Sequence, residues 1–203
     1  MTDIINTLNP IITPELFGRI LEGYPLDPLG IHGIYHWLKV AENARHLAKE
    51  EGIQSDVFPL FAVFHDSRRL NDGRDPDHGK RGASFARELH GTWFTLPEAD
   101  LERLCYACEH HTDVVRHKDP VIGICWDADR MDLHRVGIMP DVKYLNSKTA
   151  KSEYYGAKFK YEQPCPRCGR DTELFSGICA ECRVEMEIQL SETNIGWKTD
   201  IFD

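Results

Sequence analysis

Apolar positions recur at helical steps along most of this chain, and one stretch stands apart because it has no polar position at all. From Val57 to Phe64 the sequence reads VFPLFAVF, and it ends in His65 and Asp66. A helix that is apolar on every side belongs in the middle of a domain rather than on its surface. Burying it carries an imidazole and a carboxylate to the rim of the core, where a desolvated carboxylate needs a cation or several donors. Asp56 is suited to cap this helix, and Pro59 is tolerated in its first turn.

The flanking stretches show the ordinary amphipathic pattern. Prolines at 10, 14, 25 and 28 leave room for one short helix, Pro14 to Glu22, in the first thirty residues. From Ile31 to Glu51, Ile34, Leu38, Ala41, Ala44 and Ala48 recur at steps of three and four, and Gly52 stops the run. His78 opens a helix carrying Ala83, Phe85, Ala86 and Leu89, and Leu96-Pro97 starts another that reaches His110-His111. A further helix, Val121 to Val136, carries Ile122, Ile124, Cys125, Trp126, Ala128 and Met131 with Asp127, Asp129 and Asp132. No strand-like alternation occurs before residue 160, so the body is expected to be all-α, with five or six helices.

Length and charge narrow the class. At 203 residues the chain accommodates one domain and an appendage. A net charge of −9 argues against nucleic acid or an anionic membrane as partner, since both need a basic face. Met1 to Asn9 lacks the pattern of a signal peptide, and no apolar run approaches membrane-spanning length. The seven cysteines include CxxC pairs near the C-terminus, which reads as metal usage in a reducing compartment. The expected location is cytoplasmic.

The candidate ligands, in order, are His36, His65-Asp66, His78, His110-His111 and an aspartate of the 127–132 group. Any one of them could be a hydrogen-bonded core residue. A set of imidazoles and carboxylates at the inner ends of successive helices is what a two-metal site in a helical bundle requires. After His65-Asp66 comes a Gly/Asp/Asn/Pro-rich loop with Arg68, Arg69, Arg74, Lys80 and Arg81. Such a run is either a solvated loop or, because of its position, a phosphate-facing one.

This ordered set resembles the HD superfamily of metal-dependent phosphohydrolases over roughly residues 30–136. The pattern H…HD…D matches His36, His65, Asp66 and Asp129, with Val40 completing an HxxxV context. Ala128-Asp129-Arg130-Met131 resembles the context of the family's last aspartate, which favours Asp129 over Asp127. His78 through Gly82-Ala83 is similar to the H…GA helix start of the dinuclear members, and His110-His111 to their paired histidines. The resemblance implies an HD-domain helical bundle with Asp66 bridging two metals. It assigns His36, His65 and Asp129 to the first metal, and His78 with His110, or with His111 as well, to the second. One or two divalent cations from Fe, Mn, Ni, Co or Zn would suit such ligands. The implied activity is hydrolysis of a nucleotide or other small phosphorylated metabolite by a metal-bound hydroxide. Asp66, Arg69 and Lys80 are then the expected catalytic residues, with Arg68, Arg69, Lys80 and Arg81 on the phosphate. Many nucleotidase members carry a Glu one turn after the HD pair. Here Asp72 is the nearest acid. The same ligands also allow a diiron oxygenase, or a metal-bound signalling or scaffold module.

The C-terminal part reads differently. Cys165-x-x-Cys168 and Cys179-x-x-Cys182 have the spacing of a closed tetrahedral zinc site, structural rather than catalytic. They resemble a small zinc ribbon of two short β-hairpin knuckles holding one zinc. Its flanks are acidic, which suits a lid, an oligomer contact or a protein partner better than nucleic acid. Cys105-x-x-Cys108 falls on a helix face and reads as core. The expected division is an N-terminal extension at 1–30, a catalytic helical domain at 31–158, and the ribbon with its tail at 159–203.

Overall fold

Why the apolar run from Val57 matters is plain in the computed structural model, which describes residues 9–156 together with 174–175, 178–179, 182, 184–185 and 188. Among these, seven α-helices are formed: α1 (Pro14–Glu22), α2 (Ile34–Glu50), α3 (Val57–Phe64), α4 (His78–Leu89), α5 (Glu98–His110), α6 (Pro120–Met131) and α7 (Lys148–Gly156). All eight residues of α3 are buried, and it packs against α1, α2, α4, α5 and α6. It is the axis of the bundle. Phe64 at its end meets the rings of Phe85 and Phe94, with centroids 5.9 and 5.5 Å away.

Local chemistry sets the helix ends. Thr13 and Asp119 cap α1 and α6 by accepting from Leu16 and Val121 backbone N–H groups, each with Pro at the first helical position. Asp56 makes no side-chain cap on α3; the Ser55 hydroxyl accepts from the Val57 N–H instead, at 3.2 Å. Helix α2 starts at Ile34, not Ile31, because residues 27–33 are turned, with the Ile34 N–H bonded to the Pro28 carbonyl. The turn takes His32 out of the helix. Helix α6 stops at Met131 instead of reaching Val136, and Leu133–Val136 continues as a 3₁₀ turn closed by Gly137 at φ +75°.

Helix α1 buries Leu16, Phe17, Ile20 and Leu21 in the same core, and Trp37 meets Phe17 and Tyr24 edge-on. The first thirty residues, expected as an extension, therefore supply core packing from Ile12 onward. Two glycines let α4 approach its neighbours closely. A Cβ at Gly79 would run into the Cys108 carbonyl, and one at Gly82 into the Phe64 carbonyl. Helix α7 was not foreseen. It docks through its N-terminus, where Glu51 accepts from the Thr149 N–H and hydroxyl, each at 2.8 Å.

Near the C-terminus, Leu174–Phe175 and Ile178–Cys179 form a two-stranded antiparallel pair, Leu174 opposite Cys179 and Phe175 opposite Ile178. Cys165, Cys168 and the side chain of Cys179 lie outside the described residues, as do most positions of the expected ribbon; Cys182 is buried. Among the described residues no helix is long and apolar enough to cross a membrane.

Candidate metal centre

Five helices deliver side chains to one place. The end of α3 supplies His65 and Asp66, α2 supplies His36 from its first turn, and α4 opens with His78. His111 follows the last residue of α5, and Asp129 comes from the last turn of α6. His36, His65, Asp66, His78 and His111 are each at most 4% exposed. Two groups have their ligand atoms within 4.8 Å of one another: His36, His65 and Asp66, and Asp66, His78 and His111.

Asp66 belongs to both, and its two oxygens divide the work. Oδ2 lies 3.7 Å from Nε2 of His36 and 3.7 Å from Nε2 of His65. Oδ1 lies 3.1 Å from Nε2 of His78 and 3.8 Å from Nε2 of His111. Asp129 Oδ1 stands 3.4 Å from His36 Nε2 and 3.8 Å from His65 Nε2.

The donor set itself tests whether a cation fits. Each Nδ1 faces an oxygen, which fixes its proton there: His36 on Asp132 Oδ2 at 2.7 Å, His65 on the Phe61 and Ala62 carbonyls, His111 on the Cys108 carbonyl at 2.7 Å, and His78 on the Asp75 carbonyl. Neutral imidazoles held this way turn lone pairs inward at Nε2. Yet His36 and His65 bring Nε2 to Nε2 at 3.0 Å, and His78 and His111 do so at 2.9 Å. Lone pairs facing lone pairs, with two carboxylates between them, form a cluster of acceptors, and divalent cations suit it.

The electrostatics divide the four imidazoles: against burial, Asp66 raises His78 and carboxylates raise His36, whereas His65 and His111 are lowered. Burial pushes the imidazolium form of His65 down to about 3, and burial also lowers His111. Burial opposes the charge on His36 as well, but Asp129 and Asp132 outweigh it and raise its pKa. Asp66 is held well below the carboxylate range because His65, His32 and His78 overcome its desolvation. His36, His65 and His111 overcome that of Asp129 in the same way. Asp132 orients His36 as a carboxylate behind a ligand, and Arg135 braces it through Nη1, 3.3 Å from Asp132 Oδ2.

Of the residues expected at the site, the structure brings together His36, His65, Asp66, His78, His111, Asp129 and Arg69. Arg69 Nη1 lies 3.3 Å from Asp66 Oδ1 and 3.1 Å from His78 Nε2. His110 is not among them. Its ring is half-buried against Tyr106, 4.4 Å between centroids, because neighbours on a helix diverge by about 100°. Lys80 is exposed and two residues beyond His78, so it leaves the other side of α4. Arg81 is bonded to the Arg68 carbonyl and to Asp75, and Arg68 to the Ile20 and Ser67 carbonyls, away from the cluster. Asp127 is fully buried on the far side of α6.

His32 is the residue that sequence reasoning missed, and Asp132, one of the 127–132 aspartates, was not singled out for its place behind His36. His32 Nδ1 lies 3.1 Å from Asp66 Oδ2, and its Nε2 is 3.3 Å from the Asp72 carbonyl. The four-residue step from His32 to His36 was its signal, obscured by the turn that follows Asp27.

No protein-family model matches the chain, and no curated protein does. The fold is shared with the crystal structure of a predicted HD superfamily hydrolase from an uncultured Thermotogales bacterium. The two are 23% identical with a TM-score of 0.53 over 76% of this chain and 83% of that one. The chain thus shares the helical fold of that protein, and its buried His/Asp cluster could hold metal ions.

Proposed function

We propose that this protein is a metal-dependent phosphohydrolase acting on a nucleotide or another small phosphorylated metabolite. The observation that carries the reading is Asp66, whose two oxygens serve two separate imidazole pairs in a buried cluster of acceptors. His36, His65 and Asp129 would hold one cation, His78 and His111 the other, with Asp66 common to both. Divalent cations there supply Lewis acidity, lowering the pKa of a bound water and offsetting phosphoryl charge.

The chain's own residues do the rest. Arg69 places a guanidinium beside Asp66 and His78, with Nη2 donating to the Gly73 carbonyl at 2.9 Å. Held by these bonds, it puts a fixed positive charge beside the cluster, with the second Nη2 hydrogen left for a phosphoryl oxygen. His32, 12% exposed, stands between Asp66 and Asp72 on the solvent side. The side chain of Asp132 fixes the His36 tautomer and so keeps Nε2 available. The α3 core beneath excludes water from His65.

Metal analysis of the purified protein, combined with a screen of phosphorylated metabolites at several divalent metals, tests the reading. Metal-dependent release of phosphate from at least one of them is expected. Iron content with O₂-dependent turnover and no phosphate release would replace it with the oxygenase chemistry.

A further inference from the structure

We propose that the cleft between α4 and the 68–70 segment is a second anion site, separate from the metal cluster, that takes a phosphate ester of a small organic molecule. The cleft has a volume of about 400 Å³, and no residue of the cluster lines it. Arg68, Lys80 and Arg81 face it against a single acid, Glu88, on a chain whose net charge is −9. Glu88 is already turned toward Arg19, 3.9 Å away.

Among the described residues, two of the three cations form no ion pair. The Arg68 guanidinium lies 3.5 Å over the Phe85 ring and donates only to the Ile20 and Ser67 carbonyls, at 3.1 and 2.7 Å. Closing the carbonyl end of α1 explains one of its nitrogens, but the half-buried charge has no ion-pair partner among the described residues. A half-buried cation without an ion-pair partner is favourably met by an anion arriving from solvent. Lys80 makes no ion pair among the described residues, and the Ser84 hydroxyl is bonded to its carbonyl. Arg81 is paired with Asp75 and, through Nε, holds the Arg68 carbonyl at 2.8 Å, so it shapes the floor.

Phosphate fits this arrangement better than a carboxylate does. Cations arriving from two different chain segments match an anion with several oxygens in a tetrahedron, whereas a carboxylate has two oxygens in one plane. The lining also holds Leu70, 60% exposed, with Pro25 and Phe85, which suits the organic body of an ester.

Phenylphosphonate and inorganic phosphate are the probes, since neither is consumed by hydrolysis of an ester. Titrated into the full-length Asp66→Ala chain, phenylphosphonate should bind saturably and more tightly than inorganic phosphate. Adding Lys80→Glu should weaken it at least about tenfold. In the wild-type chain, its amide shifts should move saturably at Leu70, Ser84 and Glu88. An affinity within about twofold in Lys80→Glu, or shifts confined to the metal cluster, would overturn the second site. Neither result bears on hydrolysis, which is read separately by phosphate release.

Discussion

Asp127 and Asp129 sit two residues apart on α6 and project to opposite sides of it, Asp127 toward the 146–147 turn and Asp129 toward the histidines. Asp127 Oδ1 accepts from the Asn146 N–H at 2.7 Å and from its side-chain amide at 2.9 Å, and Oδ2 from the Ser147 N–H at 2.7 Å. The chain supplies every donor that carboxylate needs. Asp129 faces Nε2 atoms that already carry lone pairs, and among the described residues no backbone N–H is bonded to its carboxylate. Burial raises the pKa of Asp127, while the surrounding histidines hold Asp129 well below the usual range despite burial. One carboxylate is completed by its own fold, and the other stands beside a cluster that could hold metal ions. Composition alone would not separate them; the identity of the facing atoms does.

The largest expected effect breaks the incomplete side. Asp66→Ala should lower phosphate release by roughly a thousandfold or more, since it removes the carboxylate shared by both cation groups. Metal content should fall with it while the helical circular dichroism is retained. Full turnover in this variant would end the two-metal reading. The complementary break is Asp127→Ala, which leaves three N–H donors around it unsatisfied. It should cost about 2–3 kcal/mol of stability in urea unfolding with metal content unchanged. Loss of metal in Asp127→Ala at full stability would mean that the two aspartates had been assigned the wrong way round.

Much of this division was legible in the sequence, for physical reasons. A run as apolar as Val57–Phe64 has only the centre of the bundle to occupy, so His65 and Asp66 had to emerge at the core's edge. The opposed directions of Asp127 and Asp129 follow from helical geometry. The choice of His111 over His110 does not, because both terminate α5 and only the direction of its last turn decides. His32 was hidden because its position depends on a turn, and the role of Asp132 because its partner His36 lies 96 residues away in sequence. The four cations were grouped by adjacency, yet Arg69 faces the cluster and Arg68 faces away. Nothing in the pattern of α7 signals a docked helix, since hydrogen bonds at its N-terminus hold it in place.

A smaller effect sharpens the cluster side. Asp132→Asn keeps the shape but weakens the acceptor that holds His36 Nδ1–H at 2.7 Å. Metal affinity should fall by roughly 10–100-fold, measured by competition with a chelator, with little change in unfolding free energy. An unchanged affinity would show that the His36 orientation is set by packing alone.

The smallest effect concerns pH and sharpens the completed side, where two carboxylates hold the same turn. Glu51, half-buried, has its pKa lowered from 4.5 by the Thr149 N–H and hydroxyl. Its folded form binds the proton less tightly than the unfolded chain does. Its contribution is therefore fully present above about 4.5 and is lost as pH falls through the lower folded value. Asp127 is raised from 3.8 by burial, so its folded form binds the proton more tightly. Its term is most favourable below about 3.8 and fades as pH rises through the raised value. Unfolding free energies from about pH 3 to 6 should then show opposite slopes. The advantage of wild type over Glu51→Gln should shrink as pH falls, and its advantage over Asp127→Asn should grow. The pH-independent cost of placing an amide beside the Ser147 N–H shifts the second curve without changing its slope. Parallel slopes would mean that hydrogen bonding governs Asp127 as it governs Glu51, and that full burial on the far side of α6 has no electrostatic consequence.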